Sequence, residues 1–166
     1  MNIRKLTTSA SLAAGLVFCV LAGTAQAQVP QYGTNISHEQ ARKALAGAIA
    51  EARKQALPMA VAVVDNAGQL VAFERMDNTQ TGSTLVAQDK ASSAAMFRRP
   101  TKAFQDVVAG GGAGLRILML RGANGIEGGL PLTMDGKIIG GIGVSGGTGE
   151  QDGSVAKGGV DALAVK

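Results

Sequence analysis

Apolar positions recur at helical intervals near the start of the chain: Ala41, Ala44, Leu45, Ala48, Ile49 and Ala52 share one side, with Arg42, Lys43, Glu51, Arg53 and Lys54 elsewhere. Ser37 followed by Gln40 has capping-box spacing, so the pattern predicts an amphipathic helix running to about Gln55 and stopped by Pro58. The period then changes. Met59 to Val64 is a short apolar run rich in β-branched residues, Asp65-Asn66-Ala67-Gly68 a turn, and Gln69 to Arg75 a second run, which together predict a β-hairpin. The unbroken apolar character of Ala60 to Val64 predicts a strand covered on both faces, hence helices on each side and three layers. Thr84 to Phe97, with Ala87, Ala91, Ala94 and Ala95 offering close packing, predicts a second helix that Pro100 stops.

The later pattern is weaker. Ala103 to Val108 predicts a short turn, Gly110 to Gly114 a loop, and Ile117 to Leu120 a fragment of strand or helix. Gly128 to Leu132 predicts a strand that Pro131 places at an edge, and Asp135-Gly136 a tight turn into a strand from Lys137 to Ser145. Gly146 to Asp152 then predicts a loop into a final helix that Gly153, Gly158 and Gly159 weaken. Most of the 24 glycines lie between Gly110 and Gly159. Glycine inside a strand weakens it unless the backbone must bend or admit a close neighbour, so this region predicts one or the other.

The first 27 residues read as an export signal: Arg4 and Lys5 are the basic start, Leu12 to Ala22 the apolar run, and Ala25-Gln26-Ala27 the cleavage site. Cleavage predicts one periplasmic or secreted domain, 28–166, with no membrane attachment. It also removes Cys19, which excludes disulfides, thiolate metal sites and thiol nucleophiles. Loss of Arg4 and Lys5 takes two charges from the formal +4. The remaining basic residues are scattered, and Tyr32, Phe73, Phe97 and Phe104 are the only aromatics after the signal, which excludes a nucleic-acid surface.

Two glycine motifs fail on context. Gly141, Gly143 and Gly146 have dinucleotide-loop spacing but alternate along a strand, with too little chain following for a second parallel strand. Gly143, Ser145 and Gly147 have the spacing of a serine-hydrolase elbow, but no histidine follows Ser145. The simpler reading has Ser145 and the amides of Gly146 and Gly147 free to bind a polar ligand. His38 is the sole histidine, and it begins a stripe with Ala41, Leu45, Ala48 and Ala52. A solvated helix start accounts for it; so does an imidazole overhanging a pocket and ligating a haem, non-covalently because no C-x-x-C-H exists. Glu74-Arg75-Met76-Asp77 gives a surface ion pair on one reading; on another, Arg75 joins Lys90, Arg98 and Lys102 in a wall for carboxylates or haem propionates. Carboxylates such as Asp77, Asp89 and Glu127 have no metal-site spacing.

VAVVDNAGQLVAFERMD (Val61 to Asp77), the Lys90-Ala91 helix, FRRPT (Phe97 to Thr101), GGLPL, GKIIGGIGVSGG and QD together resemble the GlcG/HbpS-like family (DUF336, related to the C-terminal part of PduO-type proteins), from about Ile36 to Ala164. The resemblance implies an α+β, profilin-like α/β/α fold with a five-stranded antiparallel sheet. It also implies homo-oligomers, from dimer to octamer, and haem binding, with degradation or redox sensing in some members. Gly153, Ser154 and Gly158 depart from the family's pattern. The leading expectation is an exported haem-binding protein. His38 would be its axial ligand, and its groove would be lined by Arg75 and Asp77, by Lys90, Arg98 and Thr101, and by Ser145, Gly146, Gly147 and Asp152. The alternatives are a sensor or accessory module for a small, glycolate-like organic acid, or a proton-transfer enzyme using Asp65, Asp77 or Asp152 as base.

Overall fold

The computed structural model describes residues 29–164. The expected signal segment, its expected cleavage site and Cys19 lie outside the described residues. Helix α1 spans His38–Lys54, strand β1 Ala60–Asp65 and β2 Leu70–Arg75, followed by α2, Ser83–Phe97, and α3, Lys102–Ala109. A 3-10 helix, Gly112–Met119, leads to β3, Gly129–Met134, β4, Lys137–Ser145, and α4, Gly149–Ala164.

Local chemistry sets several boundaries. Ser37 Oγ accepts from the Gln40 amide at 3.2 Å while Gln40 Oε1 accepts from the Ser37 amide at 2.9 Å, completing the capping box of α1. In the hairpin turn, Asp65 Oδ1 accepts from the amides of Ala67 and Gln69, both at 2.9 Å. The proposed catalytic base Asp65 is thus already engaged in holding the β1–β2 turn.

The α+β class and antiparallel sheet are as expected, but among the described residues the sheet has four strands in the order β2-β1-β4-β3, not five. Two segments explain the shortfall. Residues 102–119, where a further strand had room to form, coil into α3 and the 3-10 helix. The lead-in to α1 makes only an isolated parallel bridge, Tyr32 to Ile138, where β4 extends beyond the end of β1. It is fastened there by Gly33 N to Ile138 O at 2.7 Å and Ile138 N to Gln31 O at 2.8 Å.

Alternation along β1 divides the core. Val61 and Val63 join Ile142, Val144 and the buried faces of α1 and α4, whereas Ala60, Ala62 and Val64 join Ala87, Ala91 and Ala95 of α2. Gly141 and Gly143 of β4 belong to the second face. A Cβ on Gly141 would run into the carbonyl of Ala91, and one on Gly143 into the carbonyl of Ala87 and the amide of Ala91. Alanines above and glycines below let helix backbone lie almost on sheet backbone. A similar approach joins α1 to α4, where a Cβ on Gly158 would come within 2.8 Å of Glu51 Cβ. The glycines that lower helix propensity in α4 therefore permit its docking. Among the described residues, no helix is long and apolar enough to cross a membrane.

Gly143→Ala should lower stability by about 1–3 kcal/mol, because α2 must move off the sheet. Gly82→Ala should change it by less than about 0.5 kcal/mol, since nothing lies within 4 Å of that position. Urea-unfolding midpoints of the two variants check the contrast.

Candidate functional site

The outer flank of α1 and the adjacent part of edge strand β2 enclose an open cleft of about 430 Å³, within the usual size range of ligand sites. It is lined by His38, Arg42, Leu45, Ala46, Ile49 and Arg53 from α1 and by Ala72, Phe73 and Glu74 from β2. The helix period puts His38, Arg42, Leu45, Ile49 and Arg53 on one flank, and the sheet register sets Ala72 and Glu74 opposite Val63 and Val61, on the α1 side. Ile49 is buried and Leu45 half-buried, giving the cleft an apolar floor. Arg53 Nη2 approaches Glu74 Oε1 at 3.9 Å at one end; both are exposed, so the pair contributes little. His38 lies some 15 residues earlier, roughly 22 Å along the helix axis. Arg42, one turn beyond His38, makes no hydrogen bond or ion pair among the described residues.

A larger groove, about 590 Å³, lies on another flank of α1, lined by Thr34, Asn35, Ser37, Glu39, Gln40, Lys43, Met134, Ile139 and Leu163. It offers neither imidazole nor guanidinium. The chemistry favours the smaller cleft.

The other sequence-predicted residues do not converge there. Lys90 is not on the surface: its side chain and that of Asp152 are 1% and 3% exposed, and Lys90 Nζ donates to Asp152 Oδ2 at 2.6 Å and to Val144 O at 3.0 Å. Asp152 Oδ1 accepts from the Gly147 amide at 2.9 Å. The amides of Gly146 and Gly147 are therefore not free for a ligand as expected; both face the Asp152 carboxylate. Burial pushes the Asp152 carboxyl above its ordinary range, opposed by the Lys90 and glycine hydrogen bonds and by the Lys90 charge. Such a carboxylate is sequestered rather than poised as a base.

Ser145 is buried too, with its Oγ and that of Ser83 3.1 Å apart. Thr101 Oγ1 accepts from the Gly129 amide at 2.9 Å, pinning the start of α3 to β3. Arg98 Nη1 donates to Pro30 O at 3.2 Å, and its guanidinium lies 5.2 Å from the Tyr32 ring centroid, securing the lead-in segment. Lys102 pairs with Asp106 at 2.6 Å. Arg75 is exposed and registers with Ala60, on the α2 side of the sheet, and Asp77 is exposed beyond the strand. The expected wall of Arg75, Lys90, Arg98 and Lys102 does not assemble, because Lys90 is in the core and Arg98 and Lys102 are engaged locally. Sequence reasoning missed Arg42 and Arg53 by assigning them to a solvated helix face. The i, i+4 spacing of His38 and Arg42 was the available signal.

Residues 36–161 match the family described as haem degrading protein HbpS-like. The chain belongs to that family. It is 38% identical to Escherichia coli GlcG over 110 residues, covering 66% of this chain and 81% of that one. The crystal structure of HbpS superposes with a TM-score of 0.72 at 30% identity, covering 79% of this chain and 92% of the other. The crystal structure of a PduOC–haem complex gives a TM-score of 0.70 at 30% identity, covering 78% and 95% respectively. Haem binding is thus supported for this family. Among the described residues, no cluster of three or more histidine, cysteine, aspartate or glutamate side chains forms a metal site, so a ligand set for a bare ion is not present there.

Lys90→Met should cost about 3–5 kcal/mol, because it leaves the Asp152 carboxylate buried without its cation. Adding Asp152→Asn should recover much of that loss, since the amide oxygen can still accept from Gly147. Urea unfolding of both single variants and the double variant at neutral pH measures the coupling.

Proposed function

We propose that this protein binds haem non-covalently in the α1–β2 cleft, with His38 supplying an axial imidazole. The observation that carries this reading is the placement of the sole histidine at the rim of an apolar-floored cleft in a chain of a haem-associated family. The residues fit the group in kind. Leu45 and Ile49 supply an apolar floor, His38 a nitrogen ligand, and Arg42 a cation suited to a propionate. Bound iron would supply redox and ligand-binding chemistry; the protein residues bind and orient the macrocycle and limit its exposure to water.

The first 27 residues support an exported protein, and we assign its working place to the periplasm or exterior. Self-association is also part of this reading: Leu115, Leu118, Met119 and Leu120 are exposed on and just after the 3-10 helix, Met119 to 87%. A second reading, binding of a small organic acid, draws on the exposed guanidiniums of the same cleft. A ligand that binds only the folded protein raises its melting temperature, so a panel of hydroxy acids tests it directly.

Titration of the mature protein with haemin should give a saturable Soret shift, and His38→Ala should alter the band's position or weaken binding by at least about tenfold. No saturable shift in the unmodified protein would sink the haem reading. An unchanged spectrum and affinity in His38→Ala would remove His38 from it. N-terminal sequencing of protein recovered from the periplasm or medium should begin at Gln28.

A further inference from the structure

We infer that Arg42 is the carboxylate anchor of the cleft, the residue that fixes which way round a haem lies; this rests on the haem reading above. Arg42 follows His38 by one helical turn, about 6 Å along the axis, and a helical side chain leans back toward the N-terminus of its helix. The guanidinium is therefore carried toward the imidazole, and both line the same cleft. Beyond them along the same flank come Leu45, Ala46 and Ile49. The flank thus sets one guanidinium beside the imidazole and separates it by an apolar stretch from Arg53 at the far end.

The two cleft arginines are not equivalent. Arg53 lies at the far end beside Glu74, 3.9 Å away, roughly 22 Å along the helix axis from His38 and so out of reach of the acidic edge of a haem held there. Arg42 has no such partner among the described residues. Its planar fork can grip a carboxylate through two parallel N–H···O bonds, which lysine cannot reproduce. Because Arg42 is exposed and makes no internal bond, its replacement should leave the fold intact.

The test compares haemin with its dimethyl ester, which keeps the iron and ring but lacks the acidic groups, on the unmodified protein, Arg42→Gln, Arg42→Lys and His38→Ala. Haemin binding should weaken about tenfold in Arg42→Gln, with the Soret maximum of the complex unchanged because the axial ligand remains. Affinity for the ester should be the same in Arg42→Gln as in the unmodified protein, and Arg42→Lys should restore haemin binding only in part. His38→Ala should show the converse, a changed Soret band with both compounds. Arg42→Gln binding haemin as tightly as the unmodified protein, or losing haemin and ester equally, overturns the anchor while the haem reading stands. Failure of the unmodified protein to bind haemin overturns both.

Discussion

Where α2, the end of β4 and the first turn of α4 meet, the ammonium of Lys90 is enclosed with the carboxylate of Asp152 and the carbonyl of Val144. Moving either charge out of water alone costs several kcal/mol, and the two are tolerable inside only because each neutralises the other and accompanying hydrogen bonds occupy the remaining donors and acceptors. This requirement reaches outward. The Gly146–Gly147 loop must turn its amides inward, α4 must start where Asp152 lies in its first turn, and Gly128 must pass so near that a Cβ there would come within 2.9 Å of Lys90 Nζ. Acidic side chains in a first helical turn also complement the helix dipole. One pair therefore secures helices that approach the sheet from opposite faces.

Short-range rules made much of this fold legible. The capping box at Ser37 and Gln40, the hairpin turn at Asp65 and the proline after α2 depend on neighbours in sequence, so their chemistry is visible in the letters. The region 102–119 was read less fully because its helix and its 3-10 helix are only eight residues each and bury only Phe104 between them. Lys90 was misplaced for a different reason: a lysine is expected at the surface unless paired, and its partner lies 62 positions away. The glycines showed that something comes close to the β4 backbone, but not what. At Gly141 and Gly143 that neighbour is the backbone of α2, not a ligand.

The candidate site was half visible. The stripe beginning at His38 marked a flank with apolar character, while Arg42 and Arg53 looked like ordinary solvated residues until β2 was seen beside them. A cleft is formed by two elements, and a helix wheel displays only one. The same limitation produced the unassembled wall of Arg75, Arg98 and Lys102, since shared charge carries no information about shared position. Family membership supports haem as a ligand at the family level, and the cleft supplies residues on which that chemistry can be examined.

The glycine-on-alanine contact between β4 and α2 has a consequence for how this protein can change over evolutionary time. On that face an added methyl group meets main chain, which has no alternative rotamer to adopt, so substitutions there have few routes to accommodation. On the outer flank of α1, side chains end in solvent and can be exchanged without disturbing the layer beneath. The molecule thus divides into a face with almost no sequence latitude and a face with a great deal. New ligand preferences can arise on the second while the first preserves the fold.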